Sequence, residues 1–244
     1  MGLLMIAWLI PDNLIFRPPA SSYQDGSRIL KLPTSDGGTI AAKFYENDAA
    51  AHTILFSHGN AEDIGHVEPF VKRLRDQGFA VLTFDYRGYG LSDGSPSEDK
   101  AYKYIDAAYD YLLNDLNIPA ERIILHGRSL GGGVALHIAT RKPVGGLILE
   151  STFTSAARVL TRIKVLPFDK FDNIGKIAAV ACPVLVIHGK MDNTIPFYHG
   201  EKLYAAANAP KTPLWIENAG HNDLFYTARE TYLIAIRDFS RTLQ

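Results

Sequence analysis

Gly127-Arg128-Ser129-Leu130-Gly131 sets one serine between two glycines, directly after the apolar run Ile123–Leu125 and before the small residues Leu130-Gly131-Gly132-Gly133-Val134-Ala135. A turn that tight from strand into helix would make flanking side chains collide, and glycines remove them. Ser129 is then pushed out above the strand end, over the free N–H groups and positive dipole end of the next helix. A hydroxyl is a weak nucleophile until a base takes its proton, and the base needs a carboxylate to hold its tautomer and stabilise the imidazolium. Downstream, Asp192 follows the run Val184–Ile187, and His221 follows Leu214–Ile216 within Asn218-Ala219-Gly220-His221-Asn222-Asp223. The chemistry these types and spacings allow is acyl transfer, with Ser129 attacking, His221 carrying the proton and Asp192 orienting His221. Glu150, directly after Gly146–Leu149, competes with Asp192 for the place of the acid. The plain alternatives are a structural glycine turn at 127–131 and a cap or turn role for Asp192.

A tetrahedral intermediate of acyl transfer carries a negative oxygen and needs two preorganised donors. The backbone N–H of Leu130 is expected to be one. The other is expected from the backbone of Asn60, in His58-Gly59-Asn60-Ala61 after the run Thr53–Phe56, where Gly59 lets the loop bend towards the serine. His58 itself is read as a structural hydrogen-bonding residue.

The elements that must hold these residues follow from periodicity. Strands are expected at Ile29–Leu32, Ile40–Tyr45, Thr53–Phe56, Ala80–Phe84, Ile123–Leu125, Gly146–Leu149, Val184–Ile187 and Leu214–Ile216. Helices are expected near Asp63–Gln77, Ser97–Leu116, Leu130–Thr140, Tyr198–Ala207 and Asp223–Thr242. Such alternation means a mostly parallel sheet covered on both faces. Pro33–Thr39 is too short for a crossover helix, so the first two strands should form an antiparallel hairpin. Ligands in such folds bind beyond the carboxyl ends of the strands, where all the residues singled out above fall. The chain reads as a lead-in over 1–27 and one domain over 28–244.

With 244 residues, 25 basic against 26 acidic side chains and a formal net charge of −1, the chain does not suit a protein that neutralises many phosphates, so no nucleic-acid partner is expected. The single cysteine, Cys182, excludes an internal disulfide framework. Eight histidines form no H-x-x-x-H or H-E-x-x-H pattern, so neither metal nor other cofactor is expected. Gly88-Tyr89-Gly90-Leu91-Ser92-Asp93 lacks the third glycine of a dinucleotide fingerprint, and Asp85 and Arg87 are read as bracing a tight turn. Tyr102, Tyr104, Tyr109 and Tyr111 fall on one helix as core and rim packing. Leu3–Ile10 is a run of eight apolar residues, short of the about 20 that span a bilayer. It has no basic residue before it, as a signal peptide would. A cytoplasmic location is expected, with a weak membrane-surface contact open to the apolar run.

Three stretches together, 56–63 (FSHGNAED), 84–90 (FDYRGYG) and 125–132 (LHGRSLGG), resemble the α/β-hydrolase superfamily, and more narrowly a branch with eukaryotic protein depalmitoylases and bacterial hydrolases. The chain order Ser, Asp, His is that of α/β hydrolases. The resemblance covers nearly everything from about Phe16 onward and implies an α/β-hydrolase fold: a mostly parallel eight-stranded sheet, an N-terminal antiparallel hairpin and a minimal lid. It implies a Ser-Asp-His carboxylesterase or thioesterase. An amide hydrolase on the same machinery is the first alternative, and a non-catalytic binding protein on this scaffold the second. The cysteine cluster near the N-terminus of the animal depalmitoylases is absent from this sequence. In this fold the insertion after Leu149 shapes the pocket. Here Glu150 to Pro183 includes a crossover helix around Ser155–Val165, leaving at most a short cap, with Phe168 and Phe171 expected to border a shallow pocket for short to medium acyl groups.

Overall fold

The computed structural model describes residues 12–26, 28–161 and 170–243. Phe168 and the apolar run Leu3–Ile10 lie outside the described residues. A four-residue helix α1 (Asp12–Ile15) precedes the hairpin β1 (Leu30–Pro33) and β2 (Thr39–Tyr45). There follow β3 (Thr53–Ser57), α2 (Ile64–Asp76), β4 (Ala80–Phe84), α3 (Glu98–Asp110), β5 (Ile123–Arg128), α4 (Leu130–Ala139) and β6 (Gly146–Glu150). The chain ends with α5 (Ala156–Thr161), α6 (Asn173–Lys176), β7 (Val184–Gly189), α7 (Tyr198–Ala206), β8 (Lys211–Ile216), α8 (Leu224–Thr227) and α9 (Arg229–Arg241).

The eight strands make one sheet in the order β1-β2-β4-β3-β5-β6-β7-β8. The β1–β2 and β2–β4 pairs are antiparallel and every other pair is parallel. Strands β3, β4 and β6 are buried at every position, which is why they read as mostly apolar runs rather than alternating ones. Alternate residues divide the core in two. Leu55, Leu82, Leu125 and Leu147 face a layer with Tyr104, Tyr109, Val134 and Leu203 from α3, α4 and α7. Ile54, Val81, Ile124 and Ile148 face Val67, Val71 and Leu74 of α2 and Tyr232 and Ile236 of α9.

The order β4-β3-β5 fixes the site. From β3 the chain departs to one side, and β5 lies on the other, so a crevice opens above their carboxyl ends. Ser57 pairs with Gly127 in that register, which sets the loop after β3 beside the turn after β5.

Some boundaries differ from the sequence reading. β8 begins at Lys211, three residues early, despite the polar Lys211 and Thr212 and despite Pro213. It is an edge strand, where proline and half-exposed polar residues are tolerated. The long helix expected to Leu116 ends as a regular helix at Asp110 and continues as a π turn, Tyr111–Asp115. The last helix is two, broken at Ala228.

Candidate active site

The turn from β5 into α4 holds Ser129 at φ 53° and ψ −114°, a conformation L residues rarely adopt. Three contacts fix it: Ser129 N–H donates to the Glu150 carbonyl at 2.8 Å, and its own carbonyl accepts from Gly132 N–H at 3.1 Å and Thr152 Oγ1 at 2.6 Å. The glycines around it are steric necessities. A Cβ on Gly127 would sit 2.5 Å from Gly132 Cα, and one on Gly131 would meet the Ser57 carbonyl and lie 2.7 Å from that of His58.

Ser129 Oγ lies 3.0 Å from His221 Nε2, and His221 Nδ1 lies 2.7 Å from Asp192 Oδ2. The other oxygen of Asp192 accepts from Thr194 N–H at 2.9 Å and Ile195 N–H at 2.7 Å. Burial pushes the Asp192 carboxyl up, but hydrogen bonds from His188 and His221 and the charge of His221 outweigh it, so its pKa falls well below the ordinary carboxylate range. The loop carrying His221 is anchored to the loop of Asp192. Met191 N–H donates to the Ala219 carbonyl at 3.0 Å and Lys190 N–H to the Ile216 carbonyl at 2.9 Å, while Gly220 N–H closes the His221 loop on itself by donating to Asp223 Oδ1 at 2.6 Å. The structure therefore brings Ser129, His221 and Asp192 into one hydrogen-bonded row.

Glu150 lies elsewhere. Its carboxylate is 2.8 Å from His126 Nε2 and accepts from the Tyr232 hydroxyl at 2.7 Å, beneath the turn of Ser129. His58, as read, is buried, with Nδ1 2.8 Å from the Gly59 carbonyl and Nε2 3.3 Å from Asp85 Oδ1. Arg87 bonds Asp36 at 2.9 Å and the Asp93 carbonyl at 3.1 Å, as expected of a loop brace.

The Asn60 and Leu130 N–H groups donate to no protein acceptor among the described residues, and both residues line the cavity at Ser129. The loop that carries Asn60 is held by Glu62, which the sequence reading missed. Its Oε2 accepts from Gly59 N–H at 2.8 Å, and its Oε1 pairs at 2.5 Å with Arg128, next to the serine. Arg128 in turn lies over the rings of Phe56 and Phe70 at 5.5 and 5.7 Å. Burial alone would lower the Arg128 pKa, but the Glu62 and Glu150 charges more than offset it and raise it. Gly59 itself was the available signal, because a loop amide that cannot reach a strand partner needs a nearby acceptor.

The cavity has a volume of about 450 Å³. Its apolar lining comes from Ile15, Leu130, Phe153, Ala156, Val159 and Ile195, with Glu62 and Arg128 on the polar side. Phe171, expected at the pocket border, is fully buried instead and packs against Phe16, Tyr102 and Phe153 with ring centroids 6.0, 5.7 and 6.2 Å apart. Among the described residues the aromatic ring that reaches the cavity is that of Phe153, behind which Phe171 serves as packing. Among the described residues no group of three or more His, Cys, Asp or Glu side chains is placed to hold a metal ion. No helix among them is long and apolar enough to cross a membrane.

Fold and row together define a class, the α/β hydrolases. Residues 48–175 match the family described as "Serine aminopeptidase, S33". "Alpha/beta hydrolase domain-containing protein 17B" of Xenopus tropicalis is 39% identical over 209 residues, covering 84% of this chain and 73% of that protein. The protein of the same name in Homo sapiens is 38% identical over the same share. Among solved structures, the Pyrococcus furiosus esterase Pf2001 superposes with a TM-score of 0.79 at 19% identity, covering 93% of this chain and 99% of that one. Mouse alpha/beta hydrolase domain-containing protein 10 gives 0.70 at 21%, covering 88% and 98%. The chain belongs to the α/β-hydrolase superfamily, with the domain-containing 17 proteins as relatives.

Proposed function

We propose that this hydrolase cleaves carboxylic esters or thioesters of short to medium acyl groups through a covalent acyl-enzyme on Ser129. The observation that carries the reading is the row Ser129–His221–Asp192, of which Ser129 and His221 line a largely apolar cavity. His221 Nε2 takes the Ser129 proton as Oγ attacks the acyl carbon, and the resulting imidazolium is stabilised by the ionised Asp192. The Asn60 and Leu130 amides receive the oxyanion. His221 then protonates the leaving alcohol or thiol, and water, activated by the same imidazole, releases the acid. The apolar wall accepts the acyl chain.

Amide hydrolysis by the same residues is the second reading, favoured by the name of the matching family. Matched butanoyl ester, thioester and anilide substrates separate the two. The ester and thioester are expected to turn over with a kcat/KM at least about 10²-fold above the anilide, and the reverse order would move the function to amides. In a p-nitrophenyl ester series the rate is expected to peak at short to medium chains. A steady rise from acetyl to palmitoyl would contradict the pocket assignment.

A further inference from the structure

Before reaching β1 the chain passes over the loop that carries the Asn60 amide. Asn60 turns its whole side chain to that segment and its neighbours. Its Oδ1 accepts from Arg17 N–H at 2.9 Å, from the Tyr89 hydroxyl at 2.7 Å and from Ala61 N–H at 3.0 Å, while Nδ2 donates to the Ile15 carbonyl. Arg17 N–H also reaches Tyr89 Oη at 2.9 Å. The segment is pinned on either side of this clamp: Lys170 pairs with Asp12 at 2.5 Å, Ser22 N–H donates to Asp63 at 2.7 Å, and Tyr23 donates to Asp85. Phe16 is buried in the core against Phe171, and its neighbour Ile15 lines the cavity. A helix of four residues has no stability of its own, so α1 stays where these contacts put it.

We infer that Ile15 is a specificity-determining residue, a wall of the acyl pocket contributed by the N-terminal segment and held in register with the oxyanion loop by the Asn60 side chain. The inference rests on the acyl-hydrolase reading and adds to it the origin of the chain-length limit. Because an apolar pocket discriminates a single methylene by about 10- to 200-fold, the bulk of one side chain in the wall is enough to move the preferred acyl length. Asn60 on this account has two separate tasks: its main chain offers a donor to the oxyanion, and its side chain positions the wall.

The test is the ratio of kcat/KM for decanoyl over acetyl p-nitrophenyl ester, with active sites counted by a fluorophosphonate. Ile15→Trp is expected to lower the ratio by about tenfold or more, and Ile15→Ala to raise it by a similar factor. Asn60→Ala, which keeps the backbone donor, is expected to melt earlier and also to shift its ratio in the direction of Ile15→Ala. A purely structural Asn60 would lower the melting temperature with the parental ratio retained, and that result overturns the coupling. Parental ratios in both Ile15 variants overturn the wall; if the tryptophan variant does not fold, the alanine variant decides alone. A parent that neither labels nor turns over any ester sinks the hydrolase reading and this inference together, whereas a labelled, active parent indifferent to residue 15 sinks only the inference.

Discussion

Asp192 spends both carboxylate oxygens, one on His221 and one on the Thr194 and Ile195 amides, and this double use separates it from Glu150. Glu150 is engaged with His126 and Tyr232 and has no contact with His221 among the described residues. Removing the orienting carboxylate lowers kcat by about 10⁴ in triads of this type. Asp192→Asn is accordingly expected to be severe in kcat and Glu150→Gln mild, in a side-by-side kinetic comparison; the reverse ranking would hand the role to Glu150. The lowered pKa of Asp192 also has a sign. Its contribution to stability is fully present above the unfolded carboxylate value of about 3.9 and is lost as pH falls through the lower folded value. Asp192 therefore stays ionised wherever the enzyme works. The acid limb of kcat/KM is expected to fall with the slope of a single proton, and a two-proton slope between pH 5 and 7 would contradict this. The three residues of the row were legible because each chemistry-bearing type follows an apolar run. Glu62 was signalled only indirectly, through the Gly59 amide that it holds, and nothing in its own sequence neighbourhood reports its second partner, Arg128.

At the scale of elements, the turn between β5 and α4 works only because backbone passes where side chains would be. Gly131→Ala would drive a Cβ against the carbonyls of Ser57 and His58 at the end of β3. These are main-chain atoms of a fully buried strand end and have nowhere to go, so the change is expected to cost at least the about 1–3 kcal/mol of ordinary overpacking and to displace Ser129. Thermal melting with fluorophosphonate labelling checks both effects, and an alanine variant with parental stability and labelling would refute the packing argument. Elements with strong period were readable to within a residue or two, as Ala80–Phe84 and Leu130–Ala139 show. The misreadings have local causes. β8 starts in Lys211-Thr212-Pro213, polar and proline-bearing residues that only an edge position permits. The breaks at Asp110 and Ala228 interrupt stretches whose apolar spacing runs on.

At the scale of the molecule, the strand order brings together loops that are far apart in sequence. β3 and β5 are neighbours, so the Asn60 amide and Ser129 share one crevice, while the parallel run β5-β6-β7-β8 delivers Asp192 and His221 from the same edge. That edge was legible, since a parallel sheet places every carboxyl end on one side. What packs across it was not. Phe171 carries the aromatic character of a pocket residue yet fills the core, and Ile15 reaches the cavity from a segment with no periodic signal. Both outcomes depend on contacts between segments distant in sequence, Phe171 with Phe16 and Ile15 with Asn60.

Reaction of the purified protein with a fluorophosphonate, read by intact mass and peptide mapping, tests the central claim most directly. One adduct per chain, mapped to Ser129, absent in Ser129→Ala and formed at least about 10²-fold more slowly in His221→Ala, is the predicted result. An adduct on another residue, or equal labelling rates with and without the His221 imidazole, would contradict it.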